Sequence, residues 1–165
     1  MATPFLKVYD AFLARITADE WTLEEELAIV ERDWQELLKM AIERFKYPRV
    51  GLDIEELTEG ERPENAPQLQ VLQFANDLTN AEIQLLAIYM KAEWVKRCIA
   101  SWDEIKQLYT SKDFSQANHL DKLLKLEATL EREINKAEGR YDRARNHAPS
   151  EIFHQLAGKK HRGNS

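Results

Sequence analysis

NAEIQLLAIYMKAEWVKR, residues 80–97, and YTSKDFSQANHLDKLLKL, residues 109–126, decide how this chain folds. In the helix that the first begins, Ile83, Leu86, Met90 and Trp94 line one face while Leu85, Ile88, Ala92, Val95 and Ile99 line another. A helix apolar on two faces belongs at the centre of a bundle. Thr79 with Glu82 three residues on is a capping box that opens this helix, and Ser101 with Glu104 reads as a further box starting a short helix through about Leu108. Residues 112–115 then interrupt the pattern. Asp113 or Ser115 can cap the next helix, and Phe114 is placed as an anchor for the hinge. Beyond it a long helix is predicted over 115–146, with Leu120, Leu123, Leu130, Ile134, Ala137, Tyr141 and Ala144 forming a seam that only Glu127 interrupts. That seam suits packing against the chain's own helices better than a coiled coil.

Towards the N-terminus, Thr3 and Pro4 read as a helix start, because proline at the first helical position gives up an N–H that has no partner there. Phe5, Val8, Phe12 and Ile16 step at helical spacing and predict a helix over 4–17. Thr22 and Glu25 cap a second helix over 23–46, whose apolar positions run from Leu23 to Phe45 and which ends where Pro48 disfavours helical geometry at Tyr47. Between 47 and 76 the periodicity is lost. Pro48, Gly51, Gly60, Pro63 and Pro67 break any helix, LQVLQF at 69–74 alternates like a strand, and a β-ribbon pairing 50–54 with 69–74 is expected. This excursion is acidic: from Asp53 to Glu64 six carboxylates face Arg62 alone, a net of −5 in a chain whose total is −6. Past Pro149, a small tail helix over 150–157 precedes a basic terminus.

The expected fold is therefore mainly all-α: a helical bundle with a long central helix, a long C-terminal helix and a β-ribbon or loop excursion at 47–76. Residues 1–148 form the bundle domain and 149–165 a C-terminal arm. At 165 residues one domain is sufficient. The negative charge argues against a dedicated nucleic-acid binder, whose affinity comes from cations neutralising phosphates. The lone cysteine, Cys98, lies in an apolar helical run and reads as a small buried residue. The first residues lack a basic region followed by an apolar one, and no run approaches the roughly 20 apolar residues of a membrane span, which predicts a cytoplasm-like setting.

Chemistry is sparsely provided. Glu151 and His154 form a Glu-x-x-His, but a di-iron bundle needs that motif twice with further glutamates. His147, His154 and His161 recur every seven residues, a helical rise of about 10.5 Å that is too long for one ion. Phosphate-binding glycine loops and the G-x-S-x-G elbow are missing. Ser111, Asp113, Ser115 and His119 contain the residue types of a nucleophilic triad, yet serine and aspartate at a break between helices are turn formers and caps. Trp21, Trp34, Trp94 and Trp102 fall at helical spacing in acidic surroundings, which favours packing over base stacking. No catalytic residue, metal or cofactor is expected.

The order of four segments, VYDAFLARI (8–16), FKYPRVGLD (45–53), DLTNAEIQLLAIYMKAEWVKR (77–97) and YTSKDFSQANHLDKLLKL (109–126), resembles virion proteins of the head–tail connector in tailed phages of Gram-positive hosts. The likeness spans roughly 8–141, and the excursion is longer than that family's compact form. The resemblance implies an adaptor of the phage neck, made in the host cytoplasm, that forms a self-assembled ring, commonly dodecameric, beneath the portal protein. Such a ring extends the channel, docks the next stopper or tail protein, and passes DNA without binding it specifically. By the same analogy ring contacts fall on the excursion and the long helix, with Asp53, Glu55, Glu56 and Glu59 facing the channel or a neighbouring subunit. The portal-docking arm is Ile152, Phe153, Leu156, Lys159, Lys160 and Arg162. The competing expectations are another virion role, such as tail completion or a terminator, and a cytoplasmic helical regulator that binds a partner helix.

Overall fold

The computed structural model describes residues 2–16, 27–57, 72–108 and 114–146. It is mainly helical with a small antiparallel sheet, as the periodicity predicts. The order is β1 (Thr3–Pro4), α1 (Phe5–Leu13), α2 (Leu27–Arg44), β2 (Ile54–Glu56), β3 (Leu72–Phe74), α3 (Asn80–Leu108) and α4 (Phe114–Asn146).

The central position of α3 follows from its apolar girth. Leu85, Leu86, Ala87, Ile88, Tyr89 and Met90 are buried in succession, and α1, α2 and α4 each pack against this helix. Around it, α1 contributes Phe5, Val8, Tyr9 and Phe12, α2 contributes Trp34, Leu37, Leu38 and Ala41, and α4 contributes Leu130 and Ile134. The seam on α4 is real but shorter than its pattern. Leu123, Leu130 and Ile134 are buried and Ala137 and Tyr141 lie against the core, whereas Ala144 is exposed.

Three elements differ from expectation. Pro4 precedes the first helix in extended geometry, with φ −66° and ψ 144°, and Thr3–Pro4 form a strand on β3. Proline suits that edge, where its missing N–H costs no ladder bond. Ser101 and Glu104 open no new helix, since α3 runs unbroken from Asn80 to Leu108. A single exposed serine weakens a helix too little to end it. Cys98 is half-buried rather than enclosed.

The ribbon is present, displaced along the chain. β3 is the middle strand, Ile54, Glu55 and Glu56 of β2 pair with Phe74, Gln73 and Leu72, and Thr3 pairs with Phe74 on the other side. Phe74 is fully buried, its ring 4.8 Å from that of Phe5, so the sheet is fastened to the bundle through β3. The second helix ends at Arg44, two residues before the expected 46, with Phe45 N–H shared between the carbonyls of Ala41 and Ile42. Its start, with Thr22 and Glu25, lies outside the described residues.

Candidate functional site

The polar residues of the bundle converge where the ribbon leaves it. Thr79 and Glu82 form the capping box: Glu82 N–H donates to Thr79 Oγ1 at 3.3 Å, while Thr79 N–H and its hydroxyl donate to Glu82 Oε2 at 2.8 and 2.7 Å. The other carboxylate oxygen, Oε1, accepts from Arg49 N–H at 3.0 Å and from the Tyr141 hydroxyl at 2.8 Å. Arg49 N–H also reaches the Tyr141 oxygen at 2.7 Å. One fully buried carboxylate thereby ties the start of α3, the root of the ribbon and the end of α4. Burial by itself pushes this carboxyl up, but the bonds from Thr79, Tyr141 and Arg49 outweigh it and hold Glu82 below the ordinary carboxylate range. Desolvation, followed by the bond to Glu82, pushes the Tyr141 hydroxyl up to about 12.

Further bonds close the ribbon's base. Asn76 Nδ2 donates to the Gly51 carbonyl at 2.9 Å, Ala75 N–H to the Asp53 carbonyl at 2.9 Å, and Arg145 Nη1 to the Tyr47 carbonyl at 3.1 Å. Beside this root a cleft of about 400 Å³ is lined by Arg44, Phe45, Tyr47, Tyr89, Glu138 and Tyr141. Phe45 meets Tyr89 and Tyr141 edge-on, and the Tyr89 hydroxyl donates to Glu138 at 2.7 Å. Burial and that acceptor raise the Tyr89 pKa. Both tyrosines are neutral donors already committed to carboxylates, so the cleft is built to hold shape.

A second polar set joins α2, α3 and α4. Arg44 grips Glu131 with both terminal nitrogens, at 3.0 and 2.6 Å, lies 3.7 Å from Glu93, and stacks over the Tyr89 ring at 5.2 Å. Its bond holds Glu131 below the usual carboxylate range. Arg97 reaches Asp33 and Glu36 of α2 at 2.9 and 3.3 Å.

Of the residues singled out from sequence, Asp53, Glu55 and Glu56 are all exposed on or beside β2, an edge strand of the sheet. Their alternation sends Glu55 to one face, where Gln73 Nε2 donates to it at 2.8 Å, and Glu56 to the other. Phe114 and Ser115 open α4, with Ser115 already inside the first turn and not ahead of it. Glu59, Asp113 and the arm residues Ile152, Phe153, Leu156, Lys159, Lys160 and Arg162 lie outside the described residues. Among the described residues, no group of three or more His, Cys, Asp or Glu is placed to hold a metal, and no helix is long and apolar enough to cross a membrane.

The capping box was readable from its spacing, but the convergence of Arg49 and Tyr141 on it was not. Their partners stand 33 and 59 residues away along the chain. No family model matches the chain, and neither a curated protein nor a solved structure matches it.

Proposed function

We propose that this chain is a structural subunit of a tailed-phage head–tail connector, an adaptor forming a ring beneath the portal. The ring continues the DNA channel and offers a face to the next neck or tail protein. The physical joining of the segments that carry the resemblance supports the reading. Segment 45–53 is bonded to segment 77–97 through Arg49 and Glu82, and segment 8–16 to the same helix through Arg15 Nη2 and Gln84 Oε1 at 2.8 Å. Among the described residues these three segments are thus bonded together, with the acidic strand β2 at the edge of the sheet beside them. This rests on order and position of segments, which is analogy at the level of the fold.

The test is capture by a portal ring. The full chain should co-sediment with the purified portal of its own phage, and micrographs of particles should place it in the neck. Removing residues 150–165 should abolish capture while the circular dichroism of the bundle is kept. A full chain that ignores the portal, or a particle carrying the protein elsewhere, rejects the connector assignment.

A further inference from the structure

Along α4, Lys122, Lys125, Arg132, Lys136, Arg140 and Arg143 follow one another at steps of three, seven, four, four and three residues. At 100° per residue those steps confine all six to an arc of about 80°, over a length of about 32 Å. All six are exposed. The apolar side of the helix, with Leu123, Leu130, Ile134 and Tyr141, faces the core. A third side carries Glu131 and Glu138, which are committed to Arg44 and Tyr89. The helix therefore carries a basic face, bordered by Asp121 and Glu133, that is left unused by the described part of the bundle.

Among the described residues, Lys125 alone of these cations reaches a carboxylate, Asp121 at 2.6 Å. Like charges spaced four apart, as at 132, 136 and 140, are unfavourable on an isolated helix. An anionic partner laid along the stripe removes that repulsion. The stripe also opposes the sign of the chain, whose net charge is −6.

We infer that the basic face of α4 docks the acidic β2 edge of a second copy of this chain. The same chain carries the complement: Asp53, Glu55 and Glu56 are exposed on an open strand edge at the start of a stretch with a net charge of −5. A subunit's own ribbon is rooted on the other side of α4, where Arg49 N–H meets the Tyr141 hydroxyl, so the pairing runs between copies. Two different patches in contact make a head-to-tail interface, which closes into a ring when the rotation allows. For its biological setting the inference rests on the connector reading, and of the two placements expected for the ribbon carboxylates, channel or neighbouring subunit, it takes the second.

Sedimentation velocity of the purified full chain tests this without a portal. At about 50 mM salt the chain should associate in a concentration-dependent way, and at about 500 mM it should dissociate, because exposed charge pairs are screened. Arg132→Glu with Lys136→Glu and Arg140→Glu should sediment as a monomer at low salt, as should Glu55→Lys with Glu56→Lys. Mixing the two variants should restore association, since each then supplies the charge the other lacks. A wild-type chain that stays monomeric at low salt overturns the inference, as does either variant associating like wild type. Duplex DNA bound through the stripe, with self-association untouched by the ribbon variant, also overturns it. Portal capture by a chain that never self-associates would reject this interface and leave the connector reading standing. Salt-sensitive association without portal capture would do the reverse.

Discussion

The Tyr141 hydroxyl donates to Glu82 Oε1 at 2.8 Å across 59 residues of sequence, and the Arg49 N–H lies within hydrogen-bond distance of both oxygens. A carboxylate in a capping box ordinarily serves its own helix. Here its second oxygen is given to two other parts of the chain, which makes a local motif the junction of the fold.

Glu82→Gln should therefore destabilise the protein by about 2 kcal/mol, because one acceptor oxygen becomes a donor facing other donors. The pH dependence has a definite sign. Glu82 is held below its ordinary value of 4.5, so its contribution is full above that pH and fades as pH falls through the folded value. Urea unfolding between pH 7 and pH 3 should show wild type losing stability on acidification, with the Glu82→Gln variant losing less.

Tyr141→Phe should cost about 1 kcal/mol and act mainly at the ribbon root. Hydrogen exchange at the Arg49 amide should quicken more than at Leu86 or Met90. With its pKa pushed up to about 12, the phenol is stabilised in its neutral form. That contribution is complete below the ordinary value of 10.0 and is lost as pH rises through the folded value. Alkaline unfolding should accordingly shift in this variant.

Phe74→Ala should cost about 3 to 5 kcal/mol, the range for deleting a buried aromatic side chain. Phe74 is the register partner of both Thr3 and Ile54 and stacks on Phe5, so its loss loosens both edge strands together. Exchange at Ala75, whose N–H bonds the Asp53 carbonyl, should rise well beyond exchange within α3.

Arg44→Lys should lose about 1 kcal/mol in thermal or urea unfolding, although the charge is kept. The fork bonded to both oxygens of Glu131 and stacked on Tyr89 cannot be reproduced by an ammonium. Glu131→Gln in the Arg44→Lys background should add little further loss, since the two changes remove one interaction.

Helices α2, α3 and α4 were legible because apolar steps of three and four residues are a local signal, as was the capping box at Thr79. The Ser101 box was misleading for the same reason. The spacing is present, but nothing at Ala100 or Ser101 forces the backbone out of the helix. Thr3–Pro4 as a strand could not be read locally, since two residues have no period and their partners stand about 70 positions away. The ribbon was foreseen from its alternation, yet it pairs 54–56 with 72–74, where Phe74 is buried and its register partner Ile54 stays exposed. The cationic stripe of α4 is written in the same spacing as its leucines, but it emerges only when charge is counted around the helix instead of along the chain.

The ribbon's base is closed by Asn76 to Gly51 and by Ala75 to Asp53. Inside that closure β3 delivers Phe74 to the core, so the described strands of the ribbon belong to the folded body. Selection is thus free to exchange the exposed side chains of β2, generation by generation, while Phe74 on the strand beside it holds their position.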